Sequence, residues 1–163
     1  MADTSDNRIA TIALDEASVI ARGEEIEKER EVALRDLVEE NSFRPLRATQ
    51  DGHQGPWDVR LAIVDGMLAL HLTDRAGADA GTIGLGLARL KRVVRDYWAI
   101  CDSYYKALRR ASAQEIETID MARRGIHDRG TRQLLESLES KVEVDFETAR
   151  RLFTLICVLH LRA

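Results

Sequence analysis

The chain is poor in the residues that mark the special classes of protein. It carries two cysteines in 163 residues, Cys101 and Cys157. That leaves no disulfide framework and points to a reducing compartment, the cytoplasm. Aromatic side chains are few, with three Phe, three Tyr and two Trp, so the core must be largely aliphatic. The start, Met1 to Asn7, is polar. It lacks the basic and apolar regions of a secretory signal and is expected to be a disordered tail ahead of one domain over 8–163. The most apolar stretch, Leu152 to Leu161, is about half of the ~20 residues a membrane span needs, so no membrane is expected as a partner. The formal net charge of −4 argues against a general polyanion binder, and nucleic acid is not an expected partner. No internal repeat of solenoid length is visible. Catalytic signatures are also missing. Gly81-Thr82-Ile83-Gly84-Leu85-Gly86 lacks the G-x-G-x-x-G order, and no Walker A, G-x-S-x-G or H-E-x-x-H pattern occurs. His53, His71, His127 and His160 are scattered and assemble no triad. No cofactor is implied, and whether the chain is an enzyme stays open.

What is present is a globular composition, 45% hydrophobic and 32% charged. Arg8–Asp15 is short and rich in β-branched residues, which predicts a strand. Glu24–Glu40 is filled with helix formers, with Ile26, Ala33, Leu34, Leu37 and Val38 at helical spacing. Asn41 is placed to end that helix in a left-handed conformation. Phe43–Thr49 reads as an edge strand, because Pro45 cannot donate a ladder hydrogen bond. The clearest local signal is Trp57–Thr73. Its two alternating runs flank Asp65-Gly66, a pair suited to a type I′ hairpin turn. That turn sets Ile63 opposite Leu68, Leu61 opposite Leu70 and Val59 opposite Leu72, all on one face. Ala76–Gly86 reads as a Gly- and Ala-rich connector, and Lys141–Val144 as another. Helices are expected over Leu87–Leu108 and from Ala113, where Ser112-Ala113-Gln114-Glu115 matches a capping box. Gly125 and Gly130 predict a break or kink near Gly130. Asp145 is a candidate N-cap for a last helix, apolar nearly all round, that carries Phe146, Ala149, Leu152, Phe153, Ile156, Cys157 and His160 on one face. Strands fall in the first half and helices in the second. The expected class is therefore α+β, a small antiparallel sheet packed against a helical C-terminal half.

Four runs carry a family resemblance: EKEREVALRDLVEENSFRP, KRVVRDYWAICDSYYKAL, IETIDMARRGIHDRG and VEVDFETARRLFTLICVLHLR. They resemble an uncharacterised alphaproteobacterial protein family of the UPF series. The resemblance implies a bacterial, cytoplasmic origin. It implies no activity, ligand, partner or site residue.

The candidate site read from the residues is the segment Met121–Arg132. Arg123, Arg124, His127, Arg129 and Arg132, with Gly125 and Gly130, form a candidate anion site, since guanidinium forks suit carboxylates and phosphates. The competing reading is a solvated helix in which Asp128 pairs with Arg124 and Arg132. Residues 89–132 hold eleven basic against six acidic residues, and 24–40 hold eight acidic against three basic. Opposite patches of this kind steer an acidic partner or favour a homo-oligomer, unless the two helices face each other within one chain. Cys101 lies on an apolar stripe between Tyr97 and Tyr105, which predicts a buried structural thiol. Asp102 is spaced to pair with Lys106. Cys157, His160 and His127 fall short of a zinc signature. These observations suggest a non-catalytic interaction or regulatory protein. The alternatives are a phosphate- or anion-binding domain or enzyme using Arg123–Arg132 and, more weakly, RNA binding.

Overall fold

The computed structural model describes residues 6–20 and 23–159. Residues 1–5 of the expected tail, and His160, lie outside the described residues. Asp6 and Asn7 lie within them, and the Asn7 carbonyl accepts from the Phe43 N–H at 2.9 Å.

The architecture is α+β. β1 (Ile9–Leu14), β3 (Trp57–Val64), β4 (Met67–Thr73) and β5 (Asp79–Leu85) form a sheet in the order β1-β3-β4-β5. α1 (Glu24–Glu39), β2 (Arg44–Pro45) and α2 (Leu46–Gln50) lie in the connection from β1 to β3. α3 (Ala88–Arg110), α4 (Ala113–Leu138), β6 (Val142–Glu143) and α5 (Phe146–Ile156) complete the chain. The hairpin has the register that its turn dictates. Asp65 and Gly66 take φ of 51° and 74°, and Val59↔Leu72, Leu61↔Leu70 and Ile63↔Leu68 are partners. Leu61, Leu68, Leu70 and Leu72 are buried, while Arg60 and Asp58 of the other face are exposed.

Several elements depart from what the pattern predicts. The sheet is not wholly antiparallel, because β1 pairs β3 in parallel. A parallel pair needs a long crossover, and the 15–56 connection with α1 provides it. Ala76–Gly86 is not a connector. Its second part forms the edge strand β5, in which Leu70↔Ile83 and Leu68↔Leu85 pair. Glycines at 81 and 84 mask the alternation there, and an edge strand tolerates them. The Phe43–Thr49 strand is reduced to Arg44–Pro45. Pro45 instead leads into the α2 turn, where its missing N–H costs nothing. Its partner is β6, so Lys141–Val144 contains a strand, clamped by Arg44 to Glu143 at 2.7 Å. Asn41 is not in the left-handed region, where only Asp65 and Ser140 are found among the described non-glycine residues.

α4 runs unbroken through both glycines, so the break expected near Gly130 does not occur. Gly130 has a packing role. A Cβ built there would lie 2.2–2.6 Å from ring atoms of Phe153 on α5, so the missing side chain lets the two helices approach. The Ser112–Glu115 capping box starts α4, and Asp145 caps α5 by accepting from the Thr148 N–H at 2.8 Å. α5 is the central helix. Ala149, Leu152, Phe153, Leu155 and Ile156 are all buried, packed against α1 on one side and α4 on the other. The helix ends at Ile156, and Leu159 then bridges to Val19. Among the described residues, no helix is long and apolar enough to cross a membrane.

Candidate functional site

α1, α4 and α5 do not close completely along their outer edges. They leave a cleft of about 380 Å³, a size suited to a small ligand. α1 contributes Lys28, Glu29, Val32, Ala33 and Asp36 to its walls. α4 contributes His127, and α5 contributes Glu147, Arg150, Arg151 and Thr154. The spacing on α1 and α5 places these residues on one face of each helix.

His127 stands where the buried stripe of α4 meets the cleft, 8% exposed. Its Nε2 is 2.8 Å from Thr154 Oγ1, and the Thr154 hydroxyl donates to the Arg150 carbonyl at 3.2 Å. With the hydroxyl proton used in that way, the network assigns the imidazole proton to Nε2, and Nδ1 is left as an acceptor. Nδ1 is buried and has no hydrogen-bond partner. Edge-on contacts with the rings of Tyr97 and Phe153, at centroid distances of 5.2 and 5.0 Å, hold the imidazole in place. Burial, reinforced by the nearby Arg150 and opposed by Asp128, lowers the His127 pKa to about 4. The ring is therefore neutral at neutral pH.

This shift has a consequence for stability. In the unfolded chain the same group titrates near 6.5. As pH falls through the interval from about 6.5 to about 4, the unfolded state takes up the proton first and the native state is penalised. The urea midpoint is expected to fall with pH across that interval. His127→Gln should flatten the profile between pH 6.5 and pH 5, and an unchanged slope in that variant would refute the assignment.

Glu29 forms the opposite wall. Tyr97 donates to its Oε1 at 3.1 Å, and Tyr105 donates a short hydrogen bond to its Oε2. Burial chiefly, with Glu29 beside them, pushes both tyrosine pKa values far up, so both hydroxyls remain donors. Arg151 donates to the Asp36 and Glu40 carbonyls at 3.4 and 3.0 Å, which satisfies the C-terminal end of α1. Arg150 reaches Glu147 at 3.4 Å, while its Nε is buried without a partner. Lys28 is exposed and makes no ion pair among the described residues.

The residues singled out in the sequence do not converge. His127 alone lines this cleft. Arg123 lies over the Tyr104 ring at 4.6 Å and binds Asp120 at 2.6 Å, which holds that carboxyl below its usual range. Arg124 is exposed and also meets Asp120, at 2.8 Å, so the expected Asp128 pairing does not form. Arg129 binds Asp96 at 2.8 Å and, with Arg92 and Gln133, lines a separate hollow between α3 and α4. Arg132 is exposed. The two charged helices meet in part within the chain. Glu29 takes both tyrosine hydroxyls from α3, and Arg109 of α3 comes within 3.9 Å of Glu25. Lys106 pairs with Asp102 at 3.0 Å. Cys101 and Cys157 are buried and form no disulfide, and burial pushes the Cys101 thiol up to about 11. No group of three or more His, Cys, Asp or Glu side chains among the described residues is placed to hold a metal ion.

Sequence reasoning missed Glu29, Tyr97, Tyr105, Arg150 and Arg151. One signal was available, since Arg150-Arg151 interrupts an otherwise apolar helix. Glu29 sits among seven other acids in Glu24–Glu40 and carries no signal of its own.

The family model described as an uncharacterised protein family (UPF0262) matches residues 6–162, nearly the whole chain. The chain belongs to this family. A UPF0262 protein of Novosphingobium aromaticivorans is 56% identical over 161 residues, covering 96% of this chain and 98% of that protein. One from Erythrobacter litoralis is 53% identical over 158 residues, covering 97% and 99%. One from a Bradyrhizobium strain is 51% identical over 158 residues, covering 97% and 92%. The UPF0262 relatives come from alphaproteobacteria, the group to which the four sequence runs pointed. No solved structure matches the chain.

Proposed function

We propose that this protein is a non-catalytic interaction or regulatory protein of the bacterial cytoplasm, and that its ligand seat is the α1/α4/α5 cleft, where an anionic group binds beside Arg150. One observation carries this reading. Two buried polar atoms without partners, His127 Nδ1 and Arg150 Nε, belong to residues that line the same cleft. A buried polar atom left unpaired costs about 1–3 kcal/mol, so the Arg150 Nε donor favours a carboxylate or phosphate oxygen and the His127 Nδ1 acceptor favours a donor on the same visitor. Lys28 adds a cation beside them. The residues gathered there supply binding contacts, and the nearby Cys101 thiol is protonated at neutral pH. Two buried cysteines that form no disulfide fit a reducing cytoplasm.

The Arg123–Arg132 segment enters this reading through His127. A second reading places an anion in the α3/α4 hollow, which Arg92 and Arg129 line.

Titration of the labelled protein with acetate and with inorganic phosphate, followed by amide NMR, tests both. The expected result is perturbation of the Arg150, Thr154 and His127 amides. Arg150→Ala should weaken binding about tenfold, the loss of one charged hydrogen bond. Arg124→Ala should leave binding unchanged. Perturbation confined to Arg92, Arg129 and Gln133 would favour the second reading, and no perturbation with either anion would remove both.

A further inference from the structure

We propose that the occupant of the cleft is a short peptide of about three residues with both ends free, an inference that rests on the cleft being the ligand seat. An anion alone leaves part of the lining unmatched, because the same walls present carboxylates as well as cations. Glu29 is the acceptor that matters. Each of its oxygens already takes one tyrosine hydroxyl, which fixes the carboxylate, and each keeps a lone pair. A fixed, ionised carboxylate of this kind suits an ammonium group. Arg150, with its Nε unpartnered, suits a carboxylate.

The wall also has an apolar part. Val32 is 44% exposed and lines the cleft with Ala33. The α1 lining extends from Lys28 to Asp36, about 12 Å at the helical rise. An extended chain covers at most about 3.5 Å per residue, so a single amino acid leaves most of that wall bare and about three residues are needed to cover it. His127 adds a further match. Its ring is nine-tenths buried in the wall, and Nδ1 is an acceptor lacking a donor. A peptide N–H is such a donor. The ligand class that supplies an ammonium, backbone N–H groups, small apolar side chains and a carboxylate together is a free short peptide.

Calorimetry on the full chain with Ala-Leu-Ala, its N-acetyl derivative and its C-terminal amide tests the idea. The free tripeptide is expected to bind, and each blocked form to bind at least tenfold more weakly. Glu29→Gln should lower affinity for the free peptide while leaving the N-acetyl form unaffected. If the N-acetyl form binds as tightly as the free peptide, the cleft is an anion seat only, and the peptide inference falls while the proposed function stands. If the amide binds as tightly, Arg150 does not hold a terminus and the inference falls. If no peptide binds while acetate or phosphate does, the inference falls alone. If neither peptides nor anions bind, both readings fall together.

Discussion

Gly130→Ala is expected to destabilise the protein by about 1–3 kcal/mol, although alanine is the better helix former. The new methyl would enter the Phe153 ring at 2.2–2.6 Å. That ring has nowhere to retreat. Phe153 is fully buried and packed edge-on against Tyr97 and His127. The helices must separate or the ring must leave its rotamer, and either disturbs the wall that holds His127. Gly125→Ala is the matched control. It lies on the same helix, exposed, with nothing within 4 Å of its built Cβ, and should gain about 0.5–1 kcal/mol. Chemical denaturation of the two variants should move the midpoint in opposite directions. Gly130→Ala combined with Phe153→Leu should recover part of the loss. Equal, stabilising shifts for both glycines would show that the α4/α5 contact does not need a bare backbone.

Asn41→Ala should cost about 3 kcal/mol, roughly 1 kcal/mol for each hydrogen bond lost. The Asn41 amide ties the end of α1 to the open edge of β1. Its Oδ1 accepts from the Ile9 N–H at 2.7 Å, and its Nδ2 donates to the Ile9 carbonyl at 3.0 Å and to the Leu37 carbonyl at 2.7 Å. The side chain thus stands in for a neighbouring strand at Ile9 and caps the helix at Leu37. Asn41→Asp keeps the acceptor and loses both donors, so it should fall between wild type and alanine. Thermal unfolding of the three proteins checks the order. An alanine variant as stable as wild type would mean that water replaces all three bonds.

Asn41 also shows how far local reasoning reaches. The sequence marks it as the end of α1, and α1 does end beside it. The mechanism, a side chain bonded to a residue 32 positions earlier, has no local signature. The hairpin was legible to the residue pair because Asp65-Gly66 and strict alternation act within 17 residues. The capping box at Ser112 was legible for the same reason. β5 was not, because its partner β4 decides its conformation and its glycines hide the alternation. Gly130 was read as a breaker, since the sequence does not show that Phe153 will lie against it. The cleft was legible only at His127. Its other walls come from segments more than 100 residues apart, α1 and α5, and the amphipathic pattern of each reports burial without naming its partner. The anion segment had the right residue types, but helical geometry sends Arg124, Arg129 and His127 in three directions.

The pairing of α1 with α5 has a consequence for a chain made from its N-terminus. The β3–β4–β5 meander and the α3–α4 hairpin join neighbours in sequence and can form as soon as they leave the ribosome. α1 is synthesised early, yet the helix that covers Ile26, Ala33 and Leu37 is made more than 100 residues later. Until then its greasy side has no permanent cover. A nascent polypeptide stalled before residue 146 should therefore be held by chaperones or cleared by proteases, and assembly of the finished body should wait until α5 has left the ribosome.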